Sequence, residues 1–130
     1  MANQKDQQEC CCTTGANIMI LACSGGANVG QLTNQAAIEL TKEGWGKMFC
    51  LAGVGAHLTG FVQSVKDNPD VVVLDGCEIG CSKAIFEHLN LPIRNYIVVT
   101  KDMQIEKNHE FDLKREEIDR LKEMVKTKVG

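Results

Sequence analysis

Residues 18–40 read IMILACSGGANVGQLTNQAAIEL, and the order of features in this stretch decides the fold. Ile18–Cys23 is an apolar run too short for a helix, and the glycines at 25 and 26 mark a turn. Val29, Leu32, Ala36 and Leu40 then recur at the spacing of one helical face. Strand, tight turn and amphipathic helix in that order make one βα unit.

The unit repeats. Further apolar, β-branched runs lie at Met48–Ala52, Val71–Leu74 and Tyr96–Thr100, each followed by glycine or a polar turn. None alternates apolar with polar, which is the pattern of strands covered on both faces and hence of a mostly parallel sheet. Between them, Leu58, Phe61, Val62 and Val65 form one helical stripe and Cys81, Ile85 and Leu89 another. Gly44 and Gly46, Asn68-Pro69 and Pro92 supply the helix stops. A last helix spans about Leu113 to Val129, with Ile118, Leu121 and Val125 inward, Glu116 and Glu117 at its start and lysines near its end. Right-handed crossovers then predict a single-domain, three-layer α/β/α fold over residues 17–130, with a mostly parallel four-stranded sheet of order 2-1-3-4. Residues 1–16 are expected to form a flexible tail that carries Cys10, Cys11 and Cys12.

Composition agrees with a small globular domain. The 130 residues are 44% hydrophobic and 24% charged, long enough to bury one core. Net charge is −3, and the lysines at 101, 107, 114, 122, 126 and 128 are interleaved with acids, so no basic stripe offers itself to nucleic acid. The start, MANQKDQQECCC, lacks the apolar core of a signal peptide, and no stretch has the roughly 18 apolar residues of a membrane span. A cytoplasmic protein with no membrane or nucleic-acid partner is expected. In a reducing compartment, seven cysteines point to metal or thiol chemistry rather than to structural disulfides.

Cys23, Cys50 and Cys77 recur every 27 residues, one βα unit per step, and each falls at or near the carboxyl end of its strand. Cys81 opens the next helix. In open parallel sheets that edge is where ligands bind, beside helix N-termini whose partial positive charge favours thiolate. Any one cysteine alone is as readily a small apolar filler. Four at one edge, flanked by Gly25, Gly26, Gly53, Gly55, Gly76 and Gly80, make a shared site the better account. Zinc takes such ligands tetrahedrally, and Cys77 and Cys81 have the spacing of a ligand pair. Adjacent strands are about 4.8 Å apart, so in the order 2-1-3 Cys50 lies about 10 Å from Cys77 at the backbone. Cys23, Cys77 and Cys81 therefore form the firmer cluster, with the fourth place open to Cys50, His57, water or substrate. Asp75 could orient a ligand, act as a base or hold a turn. His88 and His109 have no constellation around them, and the Cys10–Cys12 triplet could deliver metal, cover the site or exchange disulfides.

Other familiar readings fail. A cysteine phosphatase or arsenate reductase needs an arginine six residues after its nucleophile, where this chain has Val29. Gly53-Val54-Gly55 is followed by Leu58 where a dinucleotide fingerprint places its third glycine, and the core holds no Cys-x-x-Cys pair.

The stretch CSGGANVGQLTNQAAIELTKEGWGKMFCLAG, the later VVVLDGC and Cys81 resemble the DGC-domain family of prokaryotic proteins, named for the Asp-Gly-Cys found here at Asp75-Gly76-Cys77. The resemblance covers residues from about 18 to 102. It implies binding of a metal ion, Zn2+, by four cysteines that map to Cys23, Cys50, Cys77 and Cys81, and it names no reaction. Three functions follow as alternatives. The first is a zinc or soft-metal binding protein for sensing, storage or transfer. The second is a thiol redox or sulfur-transfer enzyme with Cys23 or Cys77 as nucleophile. The third is a passive phosphate-binding module built on the glycine turns.

Overall fold

The computed structural model describes residues 18–129. The expected tail, with Cys10 to Cys12, lies outside the described residues. Strands β1 (Met19–Ala22), β2 (Lys47–Met48), β3 (Val71–Asp75) and β4 (Asn95–Val98) form one all-parallel sheet of order β2-β1-β3-β4. Helices α1 (Asn28–Lys42), α2 (Leu51–Gly55), α3 (Thr59–Asp67), α4 (Cys81–His88), α5 (Val99–Asp102) and α6 (Arg115–Val129) surround it. The α/β fold class and strand order expected from the sequence are those observed.

Alternate side chains of each strand enter two cores, as a pleated backbone requires. Ile20, Ala22, Val72 and Leu74 meet Leu32, Ala36 and Leu40 of α1 and Ile118, Leu121 and Val125 of α6. Leu21, Val71 and Val73 face the other way, onto Leu51, Val54, Val65 and Phe86. Every residue of β3 is buried, which is why Val71–Leu74 shows no polar alternation.

α6 is fastened to α1 through a charged seam. Arg115 grips both carboxylate oxygens of Glu39 at 2.7 and 2.9 Å, and Lys122 reaches Glu39 at 3.1 Å and also pairs with Glu43. Bidentate geometry of this kind is the favourable case for an arginine–carboxylate pair.

The structure corrects four local expectations. The run Tyr96–Thr100 is strand only as far as Val98, since Val99 and Thr100 already belong to α5. The second strand has two residues rather than five, and Leu51 and Ala52 already belong to α2. A short helix, α2, not expected from the sequence, precedes the predicted stripe and ends before His57, whose φ of 63° no α-helix accommodates; α3 then starts at Thr59, so that Leu58 stands 51% exposed instead of facing the sheet. In α4 the fully buried residues are Ser82 and Phe86; Ile85 and Leu89 are partly buried against the same core as expected, but Cys81 is not. The large Phe86 ring takes the core position, and that rotation turns Cys81 outward. No helix among the described residues is long and apolar enough to cross a membrane.

Candidate functional site

Parallel register gathers the four predicted cysteines at one end of the sheet. Ala22 pairs with Leu74, so Cys23 leaves β1 on the rung beside Asp75, and its amide donates to the Leu74 carbonyl at 3.0 Å. The chain after β3 turns through Gly76 and Cys77, and the Gly76 N–H points at Cys23 Sγ across 3.3 Å. Cys81 is the first residue of α4, and Cys50 is the residue immediately before α2. All four are free thiols; Cys23 and Cys77 are half-buried, Cys50 and Cys81 exposed.

Two glycines let the backbones come this close. A Cβ on Gly76 would stand 2.7 Å from the Gly30 nitrogen at the start of α1, and one on Gly30 would stand 2.5 Å from the Gly25 carbonyl oxygen. Real Cβ atoms do not make such contacts, so the turns after β1 and β3 can close on α1 only as glycine.

Two clefts open along the rim. The smaller, about 110 Å³, is lined by Cys23, Cys77 and Cys81 together with Asp75 and Lys107. The larger, about 560 Å³, is lined by Cys23, Cys50 and Cys81 with Met48, Phe49 and Ile85. Cys23 and Cys81 thus face both clefts, while Cys50 and Cys77 each face one, which follows from β1 lying between β2 and β3. Among the described residues, no three His, Cys, Asp or Glu side chains are drawn together tightly enough to hold an ion as they stand. The thiols share a rim without closing on a common point.

Asp75 takes the structural one of its possible roles. It is buried, and its carboxylate accepts from the Ser82 and Lys83 amides at 2.8 and 3.1 Å and from the Tyr96 hydroxyl at 2.6 Å. It caps α4 from a distance, because the residue at the cap position, Gly80, has no side chain and sits at φ 70°.

This capping alters the electrostatics expected for Cys81. A bare helix N-terminus would lower its pKa, but partial desolvation raises it, assisted by the negative charges of Asp75, Cys23 and Cys77. Burial and the bond to Asp75 likewise push the Tyr96 phenol well above its ordinary range.

His57 is exposed and lines neither cleft; its ring lies 5.1 Å from that of His88. It does not join the cysteines. Sequence reasoning passed over Lys107, whose Nζ donates to Cys77 Sγ at 3.5 Å. Read as one of several interleaved charges, it carried no signal of its own.

The DGC domain pattern matches residues 19–125. Over 65 residues the chain is 37% identical to the anaerobic and virulence modulator AnvM of Pseudomonas aeruginosa, a match that spans half of each protein. No solved structure matches. With the pattern running from the first residue of β1 into α6, the chain belongs to the DGC-domain family.

Proposed function

We propose that this protein binds a soft metal ion, zinc foremost, through thiolates of Cys23, Cys50, Cys77 and Cys81, and that it serves metal sensing, storage or transfer in the cytoplasm. The observation that carries the reading is the pair of adjoining clefts that share Cys23 and Cys81, with four free thiols on one rim. Thiolate donors select zinc and Cu(I) over the hard cations that oxygen ligands hold. When bound, such an ion would screen the mutual repulsion of neighbouring thiolates. Two donors already point at these sulfurs: the Gly76 N–H at Cys23 Sγ and the Lys107 ammonium at Cys77 Sγ. The relative's name describes a modulator, and a regulatory use of metal occupancy fits that description.

The test is metal content after purification without chelator, followed by zinc titration of the metal-free chain with proton release recorded. Near-stoichiometric zinc with release of protons supports the reading, because thiols must deprotonate to ligate. Absence of both overturns it.

A second reading, a thiol enzyme, draws support from the ammonium at Cys77, which favours Cys77 over Cys23 as nucleophile. Iodoacetamide rates against pH in metal-free protein test it: a cysteine reacting fully well below the ordinary thiol pKa of about 8.5 supports this reading. Ordinary profiles at all four positions exclude it.

A further inference from the structure

The loop that carries Lys107 is pinned on every side of that residue. Met103 and Ile105 are buried in the core beneath α1 and α6. Asn28, the first residue of α1 and itself buried, clamps the residues flanking Lys107. Its Nδ2 donates to the Glu106 carbonyl at 2.9 Å, its Oδ1 accepts from the Asn108 amide at 2.7 Å, and its own amide donates to the Asn108 carbonyl at 2.9 Å. The residue between those anchors is directed at the cleft, and its ammonium meets Cys77 Sγ. The Asp75 carboxylate lines the same cleft but is turned toward Ser82, Lys83 and Tyr96 and forms no ion pair with Lys107. Among the described residues Lys107 forms no ion pair.

We infer that Lys107 is a positioning residue of the cysteine site: the Asn28 clamp holds the backbone on either side of it, so that its exposed side chain starts from the cleft rim and its positive charge offsets the negative charge gathered when several thiolates converge on one cation. The inference rests on the metal-binding reading. Four thiolates on a divalent ion leave a net charge of −2, and an ammonium carried to the rim by a pinned backbone lowers that electrostatic cost, less the entropy of ordering its own side chain.

Zinc affinity of the full chain, measured by competition with a chromophoric chelator, tests this in wild type, Lys107→Ala, Lys107→Arg and Asn28→Ala. Lys107→Ala should weaken zinc binding about fivefold, the scale of a partly screened ion pair, and the difference should shrink in 1 M salt. Lys107→Arg should restore most of the affinity. Asn28→Ala should weaken binding in the same direction, and the double variant should bind no worse than Lys107→Ala alone, as expected of residues acting through one group. If Asn28→Ala does not fold, the alanine and arginine variants at 107 still decide. Wild-type affinity in Lys107→Ala at low salt, or an arginine variant as weak as the alanine one, overturns the inference while leaving the cysteine reading intact. Failure of the wild type to take up zinc removes both.

Discussion

Tyr96 donates its phenolic hydroxyl to the Asp75 carboxylate across 2.6 Å, tying the edge strand β4 to the end of β3 at the point where the chain turns into the cysteine rim. The same carboxylate holds the first turn of α4 through Ser82 and Lys83, so one buried group fixes three elements.

Replacing Asp75 by Ala strands a buried amide, a half-buried amide and a half-buried hydroxyl. Unsatisfied buried groups cost about 1–3 kcal/mol each, so Asp75→Ala is expected to lose about 3 kcal/mol or more, and Tyr96→Phe about 1.5 kcal/mol. Urea unfolding checks both, and a smaller loss for Asp75→Ala than for Tyr96→Phe would contradict the capping role.

The two close-packed glycines should tolerate no side chain. Gly30→Ala and Gly76→Ala each place a Cβ within 2.7 Å of backbone and are expected to destabilise by at least about 2 kcal/mol, whereas Gly26→Ala meets nothing within 4 Å and should be near neutral. Thermal melts of the three variants distinguish them. Equal melting of all three would mean that the turns do not close on α1 as described.

Acid should weaken the α1–α6 seam. Arg115, then Gln35 and Lys122, hold the Glu39 carboxyl down from 4.5 to about 2. Its contribution is therefore complete above pH 4.5 and is lost as pH falls toward 2, when the folded carboxylate also takes up its proton. Arg115 is largely exposed, so the contribution is discounted to about 1 kcal/mol at pH 7. Glu39→Gln should show that deficit at pH 7 and lose it near pH 2; a gap that does not change with pH would refute the assignment.

The cysteines should differ in importance. Cys23 and Cys81 line both clefts, so Cys23→Ser and Cys81→Ser should reduce zinc affinity more than Cys50→Ser. Removing a ligand should cost at least the roughly 10–100-fold associated with outer-shell partners. In metal-free protein Cys81, whose pKa is raised, should alkylate only at higher pH than an ordinary thiol. Equal affinities across the serine series would dissolve the shared rim.

The architecture was legible because burial leaves a periodic record. Val71–Leu74 reads as apolar throughout because both its faces are covered, and the glycine turns after Cys23 and Asp75 mark where strands yield to helices. The record faded where helices were short. The five-residue α2 was hidden inside an apolar run that reads as strand, a positive φ at His57 separates it from α3, and in α4 the choice between Cys81 and Phe86 as the inward residue was settled by which side chain fills the core.

By itself the sequence determined a parallel four-stranded α/β domain with Cys23, Cys50 and Cys77 at or near the carboxyl ends of strands and Cys81 opening a helix, because local periodicity and chain order dictate both. Only the tertiary structure decided that Asp75 caps a helix, that His57 stands apart, and that Lys107 meets Cys77. Those relationships depend on strand register and on a loop clamped by Asn28 from 80 residues away, and no local pattern encodes them.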